Sequence, residues 1–115
     1  ATGAVVAVMR LLRAVPGTMT LALPLPTARQ MAEAYLPPGT ELSDEIVDDF
    51  AGELANVIAG QAKTMLKGTK YHFTLSIPTV ARHTQFGKAP GIELAFDLGS
   101  GRMLVVVDLQ PSPGS

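Results

Sequence analysis

The hydrophobic and polar positions at the start of the chain predict a pair of strands. Residues 4–12 and 19–25 are short runs rich in valine, leucine and methionine, and Pro16 and Gly17 lie between them. A Pro-Gly pair is typical of a tight turn. The pattern therefore predicts a β-hairpin.

A short helix is predicted after the hairpin. Thr27 and Gln30 have the spacing of a capping box, in which the hydroxyl and the amide side chain bond free backbone N–H groups at a helix start. The helix is expected to run to about Leu36. It should end there because the Pro-Pro-Gly at residues 37–39 cannot continue the hydrogen-bond ladder.

A long helix is predicted at about residues 43–67. Ser43 is a suitable N-cap, and Asp44 and Glu45 follow it in the first turn, where the helix dipole favours negative charge. Gly68 is a suitable stop. One broad side of this helix carries the positions that are expected to meet a sheet. They are Ile46, Val47, Phe50, Leu54, Val57, Ile58, Gln61 and Met65.

Three further strands are predicted after the long helix. Residues 71–77 alternate with period two and predict a half-buried strand that Pro78 ends. Residues 92–97 and 103–108 predict two more strands, joined as a hairpin by residues 98–102. The order of the elements predicts an α+β fold, in which two helices pack on an antiparallel sheet.

Composition predicts one domain. The chain has 115 residues, of which 47% are hydrophobic and 17% are charged, and we place a single compact domain at residues 1–110. Residues 111–115 are expected to form a disordered tail.

Arg10 and Arg13 interrupt the apolar start, so neither a secretion signal nor a membrane span is expected. Because the chain begins at Ala1 rather than at a methionine, the removal of an earlier segment stays open.

Charge and residue content exclude several kinds of partner and site. Nine Lys and Arg residues against ten Asp and Glu residues give a formal net charge of -1 with no basic run, so a nucleic-acid partner is not expected. The chain has no cysteine, which excludes disulfides and thiolate metal sites and fits a reducing compartment. His72 and His83 have no third donor at a metal-site spacing, so no metal site is predicted.

Polar residues follow one flank of the long helix. Asp49, Glu53, Asn56 and Gly60 are separated by steps of four, three and four residues, which aligns them along the helix; we refer to these four residues as the ridge. A glycine inside a helix costs about 1 kcal/mol relative to alanine, so Gly60 indicates that something packs closely there. The ridge is either the solvated side of an amphipathic helix, with Gly60 close to the sheet, or a surface that docks a partner and performs chemistry.

Two ridge side chains are suited to dephosphorylation. The carboxamide of Asn56 carries a donor and an acceptor side by side, so it can hold a water molecule and aim it at an electrophile. The carboxylate of Glu53, one turn away, can bind a cation of a partner protein and fix how the two proteins dock. No nucleophilic side chain is needed for this reaction.

The spacing of these residues resembles a known family signature. Asp49, Glu53 and Asn56 have the pattern D-x-x-x-E-x-x-N. The overlapping block GELANVIAG occupies residues 52–60, and the sequence IPTV follows at residues 77–80. This combination resembles the CheX and CheC chemotaxis phosphatases. The resemblance extends over about residues 5–107 and implies a CheC-like fold.

The number of signature helices favours one branch of that family. CheC-like proteins carry the signature on two helices, whereas residues 27–36 of this chain contain no Glu-x-x-Asn. The chain therefore resembles the CheX type, which has a single site.

The resemblance implies a phosphatase that acts on a phosphorylated CheY-like receiver domain. Asn56 would orient the water that attacks the aspartyl phosphate, and Glu53 would pair with the lysine of the regulator. Supporting roles are implied for Asp49, Gly60 and Pro78. The chain itself would need no cofactor or metal, and Mg²⁺ would be held by the partner regulator.

The resemblance also implies a homodimer, and the absence of cysteine fits a cytoplasmic location. An apolar strand such as residues 103–107 would be a hazard as a bare sheet edge, so we expect a dimer that shares strands. An alternative is a catalytically silent CheX-like interaction or dimerisation module in a two-component pathway. A third hypothesis, a small-ligand domain unrelated to phosphate, would be favoured by an apolar pocket away from Asn56.

Overall fold

The structure is a computed structural model, and it describes residues 3–13, 16–69, 71–83 and 91–109. The helices in these residues are α1 (Leu25–Tyr35) and α2 (Asp44–Leu66). The strands are β1 (Ala4–Leu12), β2 (Gly17–Pro24), β3 (Thr74–Leu75), β4 (Thr79–His83), β5 (Ile92–Asp97) and β6 (Arg102–Asp108).

The described strands form one six-stranded antiparallel sheet. β1 pairs with β2 along one side, and along its other side it pairs with β4 near its start and with β3 near its end. β2 pairs next with β6, and β6 pairs with β5. The pairing confirms the predicted N-terminal hairpin, the predicted C-terminal hairpin and the antiparallel sheet.

One face of the sheet and the two helices enclose the core. α2 packs on β1, β2, β3 and β4, while α1 packs on β1, β2 and α2. Alternate residues of β1 and β2 point into the core, as the two-residue period of a strand requires. They are Val5, Ala7, Met9 and Leu11 in β1, and Met19, Leu21 and Leu23 in β2. The arrangement confirms the predicted α+β fold.

Both ends of α2 are formed as predicted. The Ser43 hydroxyl accepts a hydrogen bond from the backbone N–H of Ile46 at 3.2 Å, which satisfies a donor that the first turn leaves free. Gly68 has a φ of +83°, a left-handed conformation that suits glycine just beyond a helix. The N-cap and the stop are therefore confirmed.

The predicted capping box at Thr27 is wrong. α1 begins at Leu25, and its N-cap, Pro24, makes no side-chain hydrogen bond. Pro26 is tolerated because the first helical turn does not need the N–H that proline lacks. Thr27 is fully buried, and its hydroxyl donates to the carbonyl of Ser100 at 3.2 Å. The threonine thus ties α1 to the loop between β5 and β6 instead of capping the helix.

The predicted strand at residues 71–77 is wrong over most of its length, because only the two residues of β3 are strand. Ser76 still bonds the first strand: its N–H donates to the Arg10 carbonyl at 3.1 Å, and its hydroxyl accepts from the Arg10 N–H at 2.8 Å. Pro78 has no N–H to continue the ladder. Pairing with β1 resumes in β4, a strand that the sequence pattern did not predict.

β5 forms one edge of the described sheet, and β3 and β4 form the opposite edge. Residues 103–107, which would be a hazard if left as a bare edge, lie in β6 and are paired on both sides, with β2 and with β5. No strand among the described residues pairs with the outer side of β5. Every residue of β5 is exposed, including Ile92, Leu94 and Phe96.

Two further expectations concern the extent and setting of the domain. Residues 111–115, predicted to be a disordered tail, lie outside the described residues, and the boundary at residue 110 stays a prediction. Among the helices that the structure describes, none is both long enough and apolar enough to cross a membrane.

Candidate functional site

α2 turns its smallest residues toward the sheet. The buried positions of this helix are Val47, Ala51, Gly52, Ala55 and Ala59. The prediction that the large apolar residues meet the sheet is wrong for Val57 and Met65, which are 52% and 80% exposed, and for Gln61, which is also exposed. Small side chains allow a helix to lie close against its neighbour. Larger apolar residues of α2 are consequently left at the margin of the contact.

The polar residues of the ridge face away from the core. Asp49, Glu53 and Asn56 are all exposed. Glu53 and Asn56 are three residues apart on α2, so their Cβ atoms lie about 5–6 Å from each other on the helix surface. Neither side chain hydrogen-bonds or forms an ion pair with another described residue. Both are available to a second molecule, as their expected roles require, although the roles themselves stay predictions.

Pro78 contacts α2 one turn from Asn56. A Cβ added to Gly52 would lie 3.6 Å from Cγ of Pro78 and 3.4 Å from Cγ2 of Val80. The start of β4 therefore lies against the helix at Gly52, at a separation that would just accept a methyl group. The contact holds the chain around Pro78 beside the helix turn that precedes Asn56, which is consistent with a shaping role for this proline.

The sequence predicted that a segment packs closely against α2 at Gly60. No described part of the chain does so. A Cβ added to Gly60 would meet no described atom within 4 Å apart from the neighbouring backbone of its own helix. The interpretation in which Gly60 brings the helix close to its own sheet is therefore wrong. The surface at Gly60 is open to a partner, and whether a partner approaches there stays a prediction.

Ion pairs fix the first turns of α2. Nε of Arg82 in β4 donates to Oδ1 of Asp48 at 2.7 Å, and Nη2 of Arg82 donates to the Asp44 carbonyl at 3.2 Å. Oδ1 of Asp44 also lies 3.9 Å from a guanidinium nitrogen of Arg82 and 3.9 Å from one of Arg29 in α1. Each exposed pair contributes at most about 1 kcal/mol. Together they join the start of α2 to both of its neighbours.

The remaining carboxylates of α2 keep their negative charge unpaired. Among the described residues, no cation lies within ion-pair distance of Glu45, Asp49 or Glu53. A cluster of uncompensated charge attracts groups of opposite sign on a partner and raises the rate of encounter. The ridge is therefore suited to a partner that presents a cation.

The described residues contain no group of three or more His, Cys, Asp or Glu side chains that could hold a metal ion. His72 and His83, the two histidines considered as ligands, are both exposed.

Sequence reasoning missed the structural parts played by Gly52 and Arg82. Gly52 was visible inside the signature block, but a helical glycine does not reveal which distant segment approaches it. Arg82 lies in the strand that was not predicted. The signal that could have indicated a cation here was the spacing of Asp44 and Asp48, which lie at i and i+4 on one face of the helix and can share one partner.

Solved structures with a similar fold include several chemotaxis proteins. The chemotaxis protein CheX from Vibrio vulnificus is 21% identical, with 96% of this chain and 78% of that chain covered at a TM-score of 0.79. A CheC-like superfamily protein from Shewanella sp. PV-4 is 25% identical, with coverages of 96% and 75% and a TM-score of 0.77. The CheX–CheY–BeF3–Mg²⁺ complex from Borrelia burgdorferi is 17% identical, with coverages of 92% and 75% and a TM-score of 0.68.

Solved structures of such low sequence identity show only the fold. The family of this chain is shown by a match to a family model. No significant match was found among curated proteins. The model described as chemotaxis phosphatase CheX matches residues 5–96, which include the whole ridge and Pro78. Since that match spans most of the chain, this protein belongs to the CheX family of chemotaxis phosphatases.

Proposed function

We propose that this protein hydrolyses the aspartyl phosphate of a CheY-like receiver domain. The observation that carries the proposal is the exposed pair of Glu53 and Asn56, which lie side by side on α2 and bond no other described residue. The N-cap at Ser43 and the ion pairs of Arg82 hold the start of this helix in place. A firmly held helix can carry two side chains into the active site of another protein without rearranging.

Asn56 positions the water in this reaction. Hydrolysis of an acyl phosphate needs a water molecule held in line with the phosphorus–oxygen bond, and charge stabilisation at the phosphoryl oxygens. The side-chain oxygen of Asn56 accepts a hydrogen bond from the water and leaves a water lone pair directed at phosphorus. Glu53 pairs with the receiver lysine and so fixes the distance between Asn56 and the phosphoryl group.

Mg²⁺ belongs to the receiver in this proposal. The similar structure from Borrelia burgdorferi contains CheX, CheY, BeF3 and Mg²⁺ together, which supports a CheY-like partner that brings its own metal. The metal would neutralise phosphoryl oxygens on the receiver side. This protein would contribute the amide and the carboxylate, with no cofactor of its own.

The other ridge residues and Pro78 support the pair. Asp49 adds negative charge one turn before Glu53, which strengthens attraction to the receiver lysine. Pro78 packs beside Gly52, one helix turn before Asn56, and so shapes the chain next to the pair. Gly60 leaves room for the backbone of the receiver to approach α2.

A cytoplasmic homodimer is part of the proposal. β5 offers a free edge among the described strands, and its apolar residues Ile92, Leu94 and Phe96 are exposed. Unpaired strand edges readily add another strand. We therefore assign the dimer contact to β5, which is separated from the helices by β6 in the sheet.

The decisive experiment measures dephosphorylation directly. Receiver domains from the same organism are labelled with radioactive phosphate from a small phosphodonor, and loss of the label is followed with and without this protein. The wild type should accelerate the loss for at least one receiver. Asn56→Ala should abolish the acceleration, while a pull-down with the receiver bound to BeF3 and Mg²⁺ should still recover the complex.

The same assay separates the enzyme from a silent interaction module. A module would bind the receiver, or a second copy of itself, without changing the decay of the phosphate. The exposed edge at β5 favours a dimerisation role in either case. If Asn56→Ala and wild type behave alike in hydrolysis while both bind, the module is the correct description.

A further inference from the structure

An apolar groove lies between α1 and α2, directly beside the ridge. It has a volume of about 450 Å³ and is formed by residues of both helices. Those used below are Tyr35, Phe50, Leu54, Val57 and Glu53; we call this feature the α1–α2 groove. It exists because α2 directs its alanines at the sheet and leaves its larger apolar side chains toward α1.

The groove presents a wide apolar surface to solvent. Tyr35 is 69% exposed and Val57 is 52% exposed. The rings of Tyr35 and Phe50 pack against each other at 5.6 Å between centroids with a 50° tilt, so one wall is built before any partner arrives. Contiguous exposed apolar surface of this kind marks an interaction site more often than isolated apolar residues do.

The charge around the groove selects the kind of occupant. Of the described residues that line the groove, Glu53 alone is charged. An adjoining depression of about 420 Å³ shares Tyr35, Phe50 and Glu53 with the groove and adds Asp49. Within the described ranges, no lysine or arginine contributes to either space. The complementary ligand is an apolar group with a cation next to it.

The groove and the proposed catalytic pair are continuous. Glu53 belongs to both, and Val57 follows Asn56 directly along α2, rotated by about 100° toward α1. A protein that places a lysine on Glu53 therefore covers the mouth of the groove. The small-ligand hypothesis would be favoured by an apolar pocket away from Asn56. This groove lies next to Asn56, so it does not favour that hypothesis.

We infer that the α1–α2 groove receives an apolar side chain of the receiver domain, adjacent to the lysine that pairs with Glu53. This inference rests on the proposed function and adds an anchor to it: Glu53 contributes charge, and the groove contributes apolar burial. Burial of one apolar side chain supplies affinity that an exposed ion pair alone does not. The anchor also distinguishes receivers with an apolar residue at that place from receivers without one.

The main test measures affinity for the receiver that shows the largest acceleration of dephosphorylation by wild type. That receiver is loaded with BeF3 and Mg²⁺, and binding is followed by titration calorimetry. Val57→Ser and Tyr35→Ala should each weaken binding by about tenfold, since each removes apolar area from the contact. Met65→Ser is the matched control, because Met65 is an apolar residue on the same helix, 80% exposed and not part of the groove. Its affinity should equal that of wild type.

A charge series tests the cationic side of the occupant. Val57→Lys should weaken binding more than Val57→Glu, since the first repels the receiver cation and the second attracts it. The gap between the two variants should shrink as salt is raised. Equal affinities for the two variants at low salt would overturn the inferred charge of the occupant.

The kinetic split separates this inference from the proposed function. Groove variants should raise KM, whereas Asn56→Ala should lower kcat. If groove variants bind like wild type while Asn56→Ala is inactive, the groove inference fails and the proposed function stands. If groove variants lose dimerisation in sedimentation but keep receiver affinity, a second copy is the occupant and the inference again fails. If wild type accelerates dephosphorylation of no receiver, the proposed function itself fails.

Discussion

Two neighbouring faces of α2 show opposite relations to the fold. Ala51, Ala55 and Ala59 are buried against the sheet, while Glu53 and Asn56 point outward and bond no other described residue. The first face sets how closely the helix lies on the sheet. The second contributes nothing visible to that packing. Stability and chemistry can therefore be changed separately on one helix, even at adjacent positions.

The largest difference in stability is expected when aspartate is introduced at each of two adjacent residues, Ala55 and Asn56. Ala55→Asp places a carboxylate in the core without a partner cation among the described residues. This change should lower the free energy of unfolding by about 4 kcal/mol or more. Asn56→Asp changes an exposed side chain of the same shape and should leave the unfolding free energy within about 0.5 kcal/mol of wild type. Urea denaturation followed by circular dichroism measures both. Comparable losses at both positions would remove the distinction between the two faces.

The second prediction concerns activity on the exposed face. Asn56→Asp keeps a side-chain oxygen that can accept from the water but adds negative charge beside the phosphoryl oxygens, so the catalysed dephosphorylation rate should fall at least about a hundredfold. The melting temperature, measured on the same sample, should stay near that of wild type. Gln61→Glu, an equivalent amide-to-acid change on an exposed position of α2, serves as the control and should retain activity. A normal rate for Asn56→Asp would contradict the placement of this side chain beside the phosphoryl group.

The third prediction tests the end of α2 that holds both faces in position. Ser43→Ala removes the hydroxyl that accepts from Ile46 at 3.2 Å and should cost about 1 kcal/mol of stability. Ser43→Asp keeps an acceptor at the N-cap and should recover that loss. Both variants are compared by urea denaturation. If alanine and aspartate are equally stable, the cap contributes less than its geometry indicates.

The sequence predicted those features of α2 that depend on local chemistry. Ser43 and Gly68 bound the helix through hydrogen bonding and backbone conformation within a few residues. The spacing of Glu53 and Asn56 fixed their common flank, because helix geometry alone determines it. The antiparallel sheet followed from the order of the elements.

The rotation of α2 on the sheet could not be predicted from hydrophobicity. Val57 and Met65 are more apolar than Ala55, yet the alanine is buried and the larger residues are exposed. The choice depends on how closely the sheet surface admits the helix, which is a property of the assembled core. The exposed groove beside Glu53 is a direct result of that choice.

Long-range contacts account for the other misses. Thr27 looked like a cap because its neighbours fit the motif, but its hydroxyl bonds Ser100, far along the chain. β4 was missed because Pro78 ended the preceding pattern, while the pairing that defines the strand comes from β1. In both cases the deciding partner lies more than 70 residues away in sequence.

The smallest predicted effect tests whether the open end of the ridge belongs to the functional face. Gly60→Ala places a methyl group where no described atom lies within 4 Å, so it should stabilise the helix by about 0.5–1 kcal/mol. Gly52→Ala is the matched comparison; its methyl would make van der Waals contact with Val80 at 3.4 Å and should stabilise at least as much. If the receiver approaches α2 at Gly60, the same methyl should weaken receiver binding several-fold despite the gain in stability. A stabilised Gly60→Ala protein with wild-type affinity would confine the docking surface to Asp49, Glu53 and Asn56, because the glycine would then have no part in it.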